Sequence, residues 1–104
     1  MIRFTPKKFI DAIELNGVNF TTLVKSGMDR SYFIPRYKKG SHKKRDLTYD
    51  YKKGISRQSI DNIAQALVNV GLFKEEDKPM IVSCFFNNDF ERLLPKDLLW
   101  HMKY

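Results

Sequence analysis

The side chains that could do acid–base, nucleophilic or metal chemistry are few and scattered. His42 and His101 are the only histidines, and neither has a carboxylate or a second ligand at metal-binding spacing. Cys84 is the single cysteine and has no histidine near it in sequence, so the chain has no intramolecular disulfide and no cysteine-based zinc finger. Asp46 and Asp50 lie one helical turn apart, a spacing that a nuclease site could use. Among so many basic neighbours they read more simply as a solvated, salt-bridged pair. No phosphate-binding glycine loop, nucleophile elbow or paired-carboxylate motif is present. The expectation is a chain that is not an enzyme and that calls for no cofactor and no metal.

The chemistry that the sequence does favour is electrostatic. Between Arg36 and Arg57 stand Arg36, Lys38, Lys39, Lys43, Lys44, Arg45, Lys52, Lys53 and Arg57, against only Asp46 and Asp50. Acids and bases balance over the rest of the chain, so this one stretch accounts for the whole net charge of +7. A basic run inside an otherwise neutral chain is the footprint of a polyanion-binding surface, most often nucleic acid. A run made only for solubility would mix its signs. Lys38, Lys39, Lys43, Lys44 and Arg45 read as phosphate clamps, and Lys52 and Lys53 extend the same set. Tyr32, Tyr37, Tyr49 and Tyr51 fall within or beside the stretch, where aromatic rings among cations could stack unpaired bases. Core packing is the commoner use of Tyr37 or Tyr51.

With 104 residues, of which 42% are hydrophobic, the chain fits a single domain, 1–104, with one core. Thr5 is a plausible N-cap before Pro6 at the first helical position, and Phe9, Ile10 and Ile13 repeat at helical spacing until Asn16-Gly17. Asn19 starts a second, two-turn helix around Leu23 and Val24 that ends at Gly27. Asp29 caps a third helix, with Met28 and Phe33 at the spacing of a hydrophobic staple. Ser59 or Ser56 caps the strongest helix, in which Ile60, Ile63, Ala64 and Leu67 recur before Gly71. Leu72 is placed for the apolar contact of a Schellman cap. Glu75, Glu76 and Asp77 favour another helix N-terminus. Met80–Phe86 suits helix or strand, and helix is preferred because everything upstream is helical. Asn88-Asp89-Phe90-Glu91 resembles a capping box, and Pro95 precedes a last turn or two, 96–102. Tyr37-Lys38-Lys39-Gly40 returns as Tyr51-Lys52-Lys53-Gly54, bracketing a polar, basic insertion, 41–54.

The order of these elements is similar to the Cro and lambda-repressor-like helix-turn-helix family. The similarity covers 6–71, through Gly17-Val18-Asn19, Leu23-Val24, Gly27, the capped third helix and Ser59-Ile60 to Ile63-Ala64. It implies an all-α fold: a compact helical bundle with a lambda-repressor-like helix-turn-helix and a C-terminal helical extension, 74–104. In that family the second helix packs across the DNA backbone and the third lies in the major groove. The resemblance therefore implies that 19–27 is the positioning helix and 30–39 the recognition helix. Arg30, Ser31, Tyr32 and Arg36 become the candidates for base contact, arginine being best suited to guanine O6 and N7. Asn19 becomes a candidate for phosphate contact at a helix N-terminus, beside its simpler role as N-cap. Val24 stands where the family favours alanine, and Pro35 falls inside the recognition helix, where it should kink or break it. Either Tyr-Lys-Lys-Gly copy could end that helix. The first is preferred, because Asp29 and the staple define a start that Lys44 lacks.

The C-terminal extension is rich in apolar residues, including Phe85, Phe86, Phe90 and Trp100. They either cap the helical core or leave surface for a partner, most simply a two-fold homodimer. The resulting expectation is a sequence-specific, double-stranded DNA-binding transcriptional regulator, a phage or mobile-element repressor or an antitoxin-type autoregulator. The alternative is a protein-binding inhibitor or adaptor that uses the same scaffold with a protein partner. No membrane span is expected, since the longest apolar runs, Met80–Val82 and Cys84–Phe86, fall far short of roughly 20 residues. The absence of an apolar run behind Arg3, Lys7 and Lys8, with the lone cysteine, points to the cytoplasm.

Overall fold

The computed structural model describes residues 1–29, 32–33 and 52–95. Their elements are β1 (Ile2–Phe4), α1 (Pro6–Leu15), α2 (Phe20–Lys25), β2 (Lys53–Ile55), α3 (Arg57–Asn69) and α4 (Lys78–Asn87), with 3-10 turns at Glu75–Asp77 and Glu91–Leu93. The expected third helix and the stretch 34–51 lie outside the described residues, as does the final turn at 96–102. Of the expected start of that third helix, Tyr32 N donates to Asp29 O at 3.2 Å, and Met28 and Phe33 are both buried.

The helices begin and end where local chemistry requires. Asn19 Oδ1 accepts from Thr22 N at 2.8 Å and so caps α2. For α3 the cap is Ser56, whose Oγ accepts from Ser59 N at 3.1 Å. Gly71, at φ +81°, follows α3 in the left-handed region, which a residue with a Cβ enters only at a cost. Around it Leu72 N reaches Leu67 O and Gly71 N reaches Val68 O, the two bonds of the Schellman motif. The same paired bonds close α1 through Gly17 and Val18, and α2 through Gly27 and Met28. At the end of α4 the left-handed residue is Asn88, at φ 50° and ψ 38°.

Asn88 corrects the reading of Asn88-Asp89-Phe90-Glu91 as a capping box. Its side chain turns back across the whole chain, accepting from Thr5 N at 2.7 Å and donating to Thr5 Oγ1 at 3.1 Å. Thr5 does stand at the N-cap of α1, but its own side chain makes no cap bond there. The following 3-10 turn keeps one local bond of the expected kind, from Glu91 N to Asp89 Oδ1 at 3.1 Å.

The fold is mostly helical, but it is not all-α. β1 and β2 pair antiparallel, with Ile2 opposite Ile55, Arg3 opposite Gly54 and Phe4 opposite Lys53. Strands of three residues are too short to show a period of two, and their partners lie far apart in sequence. This sheet also takes up the end of the second Tyr-Lys-Lys-Gly copy: Lys53 and Gly54 belong to a strand, while Tyr51 lies outside the described residues.

The described buried residues form one cluster, built from Phe9, Ile10 and Ile13 of α1, Ile60, Ile63 and Leu67 of α3, and Ile81 and Phe85 of α4. Met80–Phe86 is helical and central, packing against α3, β1 and both 3-10 turns. Buried on several sides, it shows no amphipathic stripe, which is why its sequence suits helix or strand equally. Gly71→Ala should cost about 1–2 kcal/mol, all of it from the backbone, because a Cβ there would meet nothing within 4 Å. Asn88→Gly keeps the left-handed turn yet should cost about 1–3 kcal/mol, because it leaves the amide of buried Thr5 without its acceptor. Urea unfolding should show both as lower midpoints at constant m-value.

Candidate nucleic-acid interface

The best-defined part of the expected DNA-facing unit is α2. A six-residue helix is marginal alone, and tertiary contacts hold this one: Leu23 and Met28 are buried, and Asn69 Nδ2 of α3 donates to Ser26 O at 3.0 Å. Its other side, with Asn19, Thr21, Thr22 and Lys25, is exposed. Asn19 Oδ1 also accepts from Thr22 Oγ1 at 2.8 Å, so its side-chain oxygen is committed to the cap.

Among the residues singled out for base contact, Tyr32 is described. Its ring is half-buried against the core and its hydroxyl accepts from Asn62 Nδ2 of α3 at 3.2 Å. Arg30, Ser31 and Arg36 lie outside the described residues, together with the phosphate candidates Lys38, Lys39, Lys43, Lys44 and Arg45. Lys52 is exposed at the entrance to β2, and Lys53 is half-buried within it, opposite Phe4. The structure thus brings Lys52 and Lys53 beside β1. Arg3 of β1 is a neighbour that the sequence offers no reason to single out, because the pairing that positions it spans half the chain.

Elsewhere on the described surface, three ion pairs neutralise charge locally. Lys7 pairs with Asp11 at 2.7 Å, Arg57 with Asp61 at 3.2 Å and Lys78 with Glu75 at 2.6 Å. Hydrogen bonds from Lys78 and then Gln65 hold the Glu75 carboxyl below the usual carboxylate range. These exposed pairs contribute little stability, but they leave few charges there to attract a polyanion.

The C-terminal apolar residues divide. Ile81, Val82, Cys84, Phe85, Phe90 and Leu93 are buried in the core, whereas Phe86 is 53% exposed, with the Arg57 guanidinium 5.8 Å from its ring centroid. Trp100 lies outside the described residues. Among the described residues no three His, Cys, Asp or Glu side chains come together where they could hold a metal, and no helix is long and apolar enough to cross a membrane. A scan of protein-family models gives no match, and neither a search of curated proteins nor one of solved structures finds a similar protein.

Cys84 belongs to the core rather than to a reactive site. Its Sγ lies 3.8 Å from Met80 Sδ, and burial pushes its thiol pKa up. The thiolate is the reactive form, so alkylation of Cys84 by iodoacetamide near neutral pH should be slow in the folded protein. It should accelerate at least tenfold in denaturant, a rate that mass spectrometry follows directly.

Proposed function

We propose that this protein is a sequence-specific, double-stranded DNA-binding transcriptional regulator, of the repressor or autoregulatory-antitoxin kind, acting as a homodimer on a palindromic site. The observation that carries the reading is the segregation of charge: the stretch from Arg36 to Arg57 holds the entire net charge of +7. Lysine and arginine that neutralise phosphates release counterions, so such a segment supplies affinity without needing a pocket. The exposed side of α2, held on α3 by Asn69 and Ser26, supports a positioning role for that helix. Arg30, Ser31, Tyr32 and Arg36 are the proposed readers of bases. Asn19, Lys38, Lys39, Lys43, Lys44, Arg45, Lys52 and Lys53 are the proposed phosphate contacts. The dimer rests on Phe86 and on the apolar sequence Leu98-Leu99-Trp100.

Selection of bound duplexes from a genomic library with the purified protein tests the reading. An enriched, two-fold symmetric motif is expected. Absence of any motif, with binding insensitive to salt, would move the weight to the protein-binding adaptor.

Changing Lys43, Lys44 and Arg45 together to alanine should weaken binding to all duplexes alike and reduce the salt slope by roughly one unit per lost contact. Arg36→Ala should instead cost about 1–3 kcal/mol on the selected site and little on random duplex, since one planar fork can take two bonds to a single guanine. Arg36→Lys should restore nonspecific affinity but not preference. Competition titrations of selected against random duplex separate these outcomes.

A further inference from the structure

Strand pairing assembles a cationic face that no run of charge along the chain reveals. Cross-strand partners share a face and successive residues alternate between faces. Arg3 and its partner Gly54 therefore lie on the face opposite to buried Phe4 and Ile55. Continued one residue beyond β2, the same alternation assigns Lys52, two residues before Gly54, to the face of Arg3, diagonally across the pair, and both residues are exposed. Gly54 places no side chain between them. The space beside it is taken by Met1, whose Sδ would lie 3.3 Å from a Cβ at position 54.

Among the described residues neither Arg3 nor Lys52 makes an ion pair. Other cations without one are differently placed. Lys8 shares a cleft with Asp11, Asp89 and Glu91, Lys74 and Arg92 share another with Glu76 and Asp77, and Lys25 sits in the last turn of α2, where the helix dipole favours it. Beyond β2 the first turn of α3 contains no acid. The two free cations thus share a face with no carboxylate on either strand, at the point where the basic run enters the described fold.

We propose that the outer face of the β1–β2 sheet is a phosphate-binding platform, on which Arg3 and Lys52 hold the sugar-phosphate backbone of double-stranded DNA. The platform deepens the DNA-binding reading above and rests on it. It adds Arg3, from the far end of the chain, to the interface. It reads no bases, so it contributes affinity equally on all sequences.

The test is the salt dependence of binding to a fluorescent mixed-sequence duplex, followed by anisotropy, for the full chain and its variants. Arg3→Gln and Lys52→Gln should each lower the slope of log K against log salt by about 0.9, and together by about 1.8. Arg3→Lys should keep the slope, and Lys8→Gln should leave it unchanged. Thermal melts of the variants should match the parent, and Arg3→Thr, a neutral strand former, carries the comparison if Arg3→Gln fails to fold. A parent that binds with a steep slope which the double variant fully retains overturns the platform alone. A parent with no salt-dependent duplex binding overturns the DNA reading and the platform with it.

Discussion

A cluster of phenylalanine rings is the interaction on which the rest of the structure depends. Phe4 of β1, Phe9 of α1, Phe33, Phe85 of α4 and Phe90 lie together, with centroid separations from 5.0 Å for Phe4–Phe85 and Phe85–Phe90 to 6.3 Å for Phe4–Phe90. Most of the pairs are tilted or edge-on, the arrangement the ring quadrupole favours, and each contributes about 0.5–1.5 kcal/mol beyond its burial. Because the rings come from elements far apart in sequence, one packed cluster ties β1, α1 and α4 together. Phe33, shortly before the basic stretch, and Ile55 of β2, near its end, both belong to the same core.

Short helices survive in this fold because their ends are tied to distant elements. Asn16 Nδ2 bonds Leu93 O at 2.6 Å, Asn69 Nδ2 bonds Ser26 O at 3.0 Å, and Asn88 holds Thr5. Each asparagine sits at or near a helix C-terminus and spends its amide on another element. Helix termination and tertiary docking are thus one event, which suits described helices of at most 13 residues. The same economy explains asparagine rather than glycine at position 88: the turn tolerates either, but only asparagine reaches Thr5.

The division between a near-neutral body and a basic segment bears on how the protein would work. Ion pairs on α1, α3 and before α4 cancel charge locally, whereas Lys52, within the basic run, and Arg3 make no ion pair among the described residues. Under the DNA-binding reading, such segregation of charge along the chain would steer a polyanion before any specific contact forms.

Much of the local structure was legible in the residues themselves. Pro6, Asn19 and the pair Ser56 and Ser59 mark helix starts, the structure deciding for Ser56, and Gly17, Gly27 and Gly71 mark stops, because capping is a chemistry of adjacent residues. The periodicity of Ile60, Ile63, Ala64 and Leu67 reports the buried face of α3 for the same reason. The concentration of charge between Arg36 and Arg57 is likewise a property of sequence alone. Pairing at long range was not legible. Nothing local marks Ile2–Phe4 as a strand, since three residues become one only when Lys53–Ile55 lies beside them. Residues Asn88-Asp89-Phe90-Glu91 look like a local cap, yet Asn88 acts on Thr5 at the other end of the chain. The choice between helix and strand at Met80–Phe86 fell to tertiary packing, because a segment buried on several sides carries no periodic signal. Arg3 became a neighbour of Lys52 by the same route. Sequence determines what neighbouring residues do to one another, and only the folded core decides which distant residues become neighbours.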